Sequence, residues 1–295
     1  MNERSGSNLR AKLILLAGVF SCSMSSAFFR YMTAPSTIAA TYRLGWTVLL
    51  LTPLIFSKRE TRSELLSLKG KDLAFCGLSG LFLAMHFVVW FESLSNTSIA
   101  SSTVLVNTEV AFAAFGYLIF FGKKIRKKEI LAIGIAFLGS VVIAMADTGG
   151  GAGKNAVLGD ILALLAAFFS ACYTLIGTRE RSHMSTMVYT YVLYWGCFLS
   201  LLVFDAVSGV PMTGYEPINW IMSLCLAVFC TLLGHSVFSW SLKFLTPTYV
   251  STVKLAGPVF ASVSAILLFG EIPGLIQVAG AAVVLAGVYL YAKNS

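Results

Sequence analysis

The amino-acid sequence predicts an all-α integral membrane protein of ten transmembrane helices, laid out as two inverted five-helix repeats with both termini cytoplasmic. Three observations predict it. The 295 residues are 57% hydrophobic and only 12% charged, whereas soluble domains carry charge on about a quarter of their residues. The apolar runs are continuous and about 20 residues long, the length a helix needs to cross a bilayer, rather than alternating over about 9–11 as in a barrel strand. A histidine-centred stretch at residues 84–94 returns at 232–242, with His86 and His235 separated by 149 positions.

The same offset pairs Arg30 with Arg179, Tyr42 with Tyr191, Trp46 with Trp195, Thr97 with Thr246 and Thr103 with Thr252. Further along it becomes 148, setting Phe121-Gly122 on Phe269-Gly270 and Gly139 on Gly287, as one indel inside the fourth segment of each half explains. Such self-similarity marks a duplicated unit. The predicted organisation is a first repeat over 1–147, a Gly-rich linker over 148–156 and a second repeat over 157–295.

In chain order the first span, 11–32, follows Arg10 and Lys12. It holds Ser21, Met24, Ser25 and Ser26, a small and adaptable surface for close packing or a broad cavity. Its Val19-Phe20-Ser21-Cys22 mimics a lipoprotein site, but bulky Phe20 suits a peptidase poorly and the segment matches the sixth span, so a mature span is expected. The second span, 37–56, carries Arg43; the third, 72–93, carries His86 and Trp90; the fourth, 97–121, carries Glu109. The fifth, 129–147, has Gly134 and Gly139 as contact notches. The second half repeats the plan over 157–178, 186–207, 218–242 with His235 and Ser239, 246–269 with Lys254, and 274–292 with Gly280 and Gly287.

Basic residues set the orientation, because Lys and Arg flanking short loops stay cytoplasmic. With the N-terminus inside, seventeen of the 21 basic residues fall in inside segments, and Lys154 alone in an outside loop. An odd number of spans per half then inverts the second repeat, as in many secondary transporters. The net charge of +8 reads as a topology signal and an attraction to anionic lipid, not as nucleic-acid binding. All six cysteines lie in predicted spans without CxxC spacing and read as apolar core. The sequon at Asn96 sits in a very short loop and reads as incidental.

An ionisable group inside a membrane span is a functional candidate, since at a helix centre it costs roughly 2.5–3.5 kcal/mol on insertion scales. Glu109 falls near mid-membrane and Lys254 on the cytoplasmic side of centre, on counterpart helices. Two readings are open: a cavity-lining pair that binds a zwitterion or breaks on protonation, or a permanent buried pair. His86 and Trp90 share one face of the third helix, and His235 and Ser239 repeat the spacing on the eighth. Each histidine either meets substrate and protons or clasps two helices through a serine or a carbonyl. Trp90 stacks on a ligand or anchors at the interface. Arg43 snorkels to the outer headgroups, neutralises carbonyls or binds an anion. Glu92 and Asp205 are placed near outer ends with water in reach, and His183 in a basic loop.

Several segments resemble the EamA-type proteins of the drug/metabolite transporter superfamily. They are Ala39-Ala40-Thr41-Tyr42-Arg43, the run from His86 to Leu94, Gly234-His235-Ser236 followed by Trp240-Ser241-Leu242-Lys243, and Phe269-Gly270-Glu271 with Gln277, Gly280 and Gly287. The resemblance covers nearly the whole chain. It implies a central cavity walled by helices 1, 3, 4, 6, 8 and 9, in a secondary transporter that most often moves small organic molecules outward without ATP hydrolysis. In two places the chain departs from that pattern: Lys123 stands where an acidic mate of Glu271 is usual, and Val110 where a proline matching Pro258 is expected.

No GxxxxGK[ST], HExxH or GxSxG motif is present, so no enzyme, cofactor or metal is expected. The expected protein is an inner-membrane exporter of small organic metabolites or drugs, such as amino acids or heterocyclic compounds. It works by alternating access with proton antiport through Glu109. The partners are a small-molecule substrate, protons and lipid. A monomer is the default and a dimer the open alternative. The competing readings are an uncoupled facilitator or exchanger, and an intramembrane enzyme or sensor built on His86, His235 and Glu109.

Overall fold

The computed structural model describes residues 2–97, 99–123, 125–146, 155–270 and 274–294. The glycines of the expected linker and Glu271 fall outside them. Every described element is helical: α1 (Asn2–Ser23), α2 (Ser25–Phe29), α3 (Ser36–Ser57), α4 (Arg59–Leu66), α5 (Gly70–Asn96), α6 (Ile99–Val106), α7 (Glu109–Phe121) and α8 (Lys127–Ala146). Then come α9 (Ala156–Glu180), α10 (Thr186–Val207), α11 (Pro217–Cys225), a π-helical stretch (Leu226–His235), α12 (Ser236–Ser241), α13 (Pro247–Lys254), α14 (Gly257–Phe269) and α15 (Leu275–Asn294). Among the described residues nine helical runs are long and apolar enough to cross a membrane.

Local chemistry sets many of the ends. Asn155, Ser185 and Thr246 cap α9, α10 and α13 by accepting the N–H of Leu158, Val188 and Tyr249. α7 and α14 both stop at a glycine in the left-handed region, Gly122 (φ 64°) and Gly270 (φ 67°). Each donates its N–H to a carbonyl four residues back at 3.0 Å, a stop that a side chain would strain. These are the two glycines that coincide at the 148-residue offset.

Four of the expected continuous spans are interrupted. Span 11–32 breaks at Met24, where Ser23 Oγ donates to Val19 O at 2.7 Å. Span 97–121 breaks between α6 and α7, and span 246–269 between α13 and α14. Span 218–242 passes through the π-helical stretch, where Thr231 Oγ1 and Ser236 Oγ each donate to the carbonyl five residues back. A loop was expected at α4, which is an amphipathic helix with no buried residue, tied to the start of α10 by Glu64 Oε1 accepting from Ser185 N at 2.6 Å.

Two buried clusters form the core. One joins α3, α5, α9 and α10 around Leu44, Leu83, Tyr189 and Leu201, all at most 1% exposed. The other joins α1, α7, α8, α13 and α15 around Leu15, Ala136, Leu255 and Val284. α5 packs on α9 and α10, α1 on the π-helical stretch and α14, and α7 on α9 and α13. Outward-facing side chains include Phe115, Phe120, Leu131, Leu267 and Ile276, an apolar coat suited to lipid. This is a multi-pass membrane protein.

α8 and α15 meet backbone to backbone. A Cβ at Gly287 would lie 2.3 Å from Ala136 N, and one at Gly139 would lie 2.5 Å from Val284 N. Small residues allow such approach where lipid leaves little hydrophobic force between helices. Gly134, expected as a third notch, faces open space instead.

Candidate functional site at the interrupted helices

The breaks fall where the intramembrane charges sit. α7 begins at Glu109, so its carboxylate stands in the first turn of a helix, and α13 ends at Lys254, so its ammonium stands in a last turn. Each charge complements the dipole of its own half-helix. The second break has a covalent cause, since Pro258 has no N–H to return to the carbonyl of Lys254. In the first break Val110 occupies the matching place, and Thr108 closes a tight turn by giving both its hydroxyl (2.6 Å) and its N–H (3.1 Å) to Leu105 O.

Across the bundle, Lys254 Nζ donates to both Glu109 oxygens, at 2.7 Å to Oε1 and 2.6 Å to Oε2. Ser170 of α9 donates to Oε2 at 2.7 Å and Ser251 of α13 to Oε1 at 2.9 Å. The Tyr173 and Phe238 rings each lie 5.7 Å from the ammonium. Glu109 is 6% exposed, while the Lys254 side chain keeps 20%, so the pair is approached from its lysine end.

The two histidines differ. His86 Nδ1 lies 2.9 Å from Ala166 O, clasping α5 to α9, and Trp90 stacks on its ring at 6.1 Å and 13° rather than anchoring alone. His235 has no such clasp. Its Nδ1 is buried with no hydrogen-bond partner among the described residues, and its ring packs against Phe87, Tyr173 and Phe238 at 5.9, 6.3 and 5.5 Å. Ser239 is 2% exposed and does not reproduce the position of Trp90. Its carbonyl accepts from Arg181 Nε at 3.2 Å, and Arg181 also donates to Met184 O. Burial lowers the Arg181 pKa from its ordinary value.

Arg43 neither snorkels nor meets a carbonyl cluster. It is 4% exposed, because α10, α11 and the π-helical stretch enclose α3. Its Nε donates to Thr231 Oγ1 at 2.6 Å and its guanidinium lies 5.3 Å from the Phe87 ring centre.

One further expectation is corrected, and two residues gain partners the sequence did not show. Asp205 is not at a watery end: it is fully buried and accepts Thr41 Oγ1 at 2.5 Å, because α3 packs along α10. His183 is half exposed, yet its Nε2 lies 3.5 Å from carboxylate oxygens of both Asp72 and Glu180. Asn96 of the sequon is 8% exposed and donates to Glu92.

Sequence reasoning missed Ser170, Ser251, Tyr173 and Thr231. A signal existed for the first two of these, since Ser170 stands 149 positions after Ser21 and Ser251 149 positions after Ser102. Thr231 carries none, because only the π-helical winding aims it at Arg43.

Comparison with known proteins gives the same outline. A protein of Archaeoglobus fulgidus named an uncharacterized transporter is 26% identical over 223 residues, 74% of each chain. A probable amino-acid metabolite efflux pump of Salmonella typhimurium is 27% identical over 180 residues, covering 58% of this chain and 59% of its own. A solved crystal structure superposes with a TM-score of 0.77 over 97% of both chains at 16% identity, a likeness of fold. The profile of the EamA-like transporter family matches twice, over residues 9–145 and 157–292. With both halves matched, the chain belongs to the EamA-like transporter family.

Proposed function

We propose that this protein is a secondary active exporter of small organic metabolites, working by alternating access around the Glu109–Lys254 pair with protons as the counter-ion. In this reading ten helices form two inverted repeats, 1–147 and 157–295, joined by the linker 148–156, with both termini cytoplasmic and a monomer as the working unit. The observation that carries it is that two interrupted helices, one from each half, bring opposite charges into direct contact at their breaks. Broken helices at a repeat interface are where transporters of this kind place substrate and coupling sites.

Coupling follows from competition. The paired state closes α7 on α13, and a proton on Glu109 removes the charge on which that closure rests. A substrate carrying a cationic group competes with both Lys254 and the proton for the same carboxylate. Glu109 holds one of them at a time, so each proton entering exchanges against a substrate leaving. His86, bound to Ala166, supports the α5–α9 wall with Trp90 stacked on it, while His235 packs on Tyr173 and Phe238, the rings beside Lys254.

The test is counterflow in liposomes for the wild type and Glu109→Gln over a panel of amino acids, nucleobases and cationic drugs. The expected result is exchange in both and a response to an imposed pH gradient in the wild type alone. A specific observation favours a second reading: Lys254, Ser170 and Ser251 already satisfy Glu109, as a purely structural pair requires. A variant that answers the gradient as the wild type does establishes that reading, and with it uncoupled exchange.

A further inference from the structure

A guanidinium buried in a membrane protein is expected to be paired, because it does not lose its charge and desolvating it is costly. Among the described residues Arg43 has no ion pair. Its one hydrogen-bond partner among them is the Thr231 hydroxyl on Nε, and Nη2 is buried without a partner. The Phe87 face offers a cation–π contact and no acceptor for the outer edge of the fork.

Resting on the transporter reading above, we propose that the outer edge of the Arg43 guanidinium, with His235 beside it, is a subsite for a carboxylate group, so that the transported molecule is a carboxylic acid or an amino-acid-like zwitterion. Thr231 occupies Nε and leaves Nη1 and Nη2, two parallel donors that fit the two oxygens of a carboxylate. One uncompensated positive charge matches one negative charge better than the two of a phosphate monoester.

His235 supplies the second observation. Its ring packs on Phe87, the ring beneath Arg43, and its Nδ1 is an orphaned buried polar atom. Phe87, Tyr173 and Phe238 all pack against His235, and the last two lie under Lys254. The open cation and the closed pair are therefore two ends of one aromatic-lined site. A zwitterion fits it with its carboxylate on Arg43 and its ammonium competing for Glu109.

The inference is tested by thermal unfolding of the purified protein in detergent, with acetate, benzoate, phenylalanine and glutamate set against the matched amides. At least one carboxylate is expected to raise the midpoint by about 3 °C or more. Its amide is expected not to, and Arg43→Gln to abolish the shift. Wild-type protein shifted by none of the acids, or equally by acid and amide, overturns the subsite. So does a shift that survives Arg43→Gln. Because the coupling reading is decided separately by the gradient response of Glu109→Gln, either reading can fail while the other stands.

Discussion

Two of the buried charged centres differ sharply, and among the described residues the chain has completed one and left the other open. Glu109 has Lys254 on both oxygens and a serine hydroxyl on each. Arg43, similarly buried, has one threonine hydroxyl and the face of a ring. The first is complete without a ligand, and we propose it as the coupling pair. The second is left short of an anion, as a group that meets a ligand is.

The sharpest way to break this contrast is Lys254→Ala, which strands Glu109 as a buried carboxylate. A loss of about 3–5 kcal/mol is expected, the cost of removing one partner from a buried pair. It would be read from denaturant or thermal unfolding in detergent, with Glu109→Gln in the same chain restoring most of it. A single variant as stable as the wild type would mean that water or another group already serves Glu109. Ser170→Ala sharpens the same side. It removes one of several donors, so about 1 kcal/mol is expected, with a double-mutant cycle against Glu109→Gln returning most of that as coupling.

Arg43→Met should have the smallest effect on stability, at most about 1 kcal/mol in either direction, since an apolar side chain replaces an uncompensated cation. Carboxylate transport should nonetheless be lost in proteoliposomes. A loss as large as that of Lys254→Ala would show that Arg43 is as structural as the pair and erase the distinction.

Much of this arrangement was legible in the sequence, and the limits have physical causes. Hydropathy and the 149-residue echo located the helices, because lipid demands long apolar runs whatever the packing. Glu109 and Lys254 stood out because few charges enter spans at all. The interruptions did not, since hydropathy is blind to a turn that keeps its residues apolar. Pro258 marked one break, but the first rests on Thr108, one threonine among many. Asp205 was misplaced because depth was counted along its own helix, while burial is decided by α3 beside it. The contrast between His86 and His235 was also hidden, since the repeat equates two residues whose partners differ: Ala166 O is offered to Nδ1 of the one and, among the described residues, no partner to Nδ1 of the other.

The glycine contact between α8 and α15 sets an order of assembly. About 130 residues separate the end of α8 from the start of α15. At about 5–20 residues per second of synthesis, α8 waits roughly 6–25 s for the surface that fits it. During that interval the small-residue face of α8 has no matching surface within its own chain, so its closest helix contact is among the last to form.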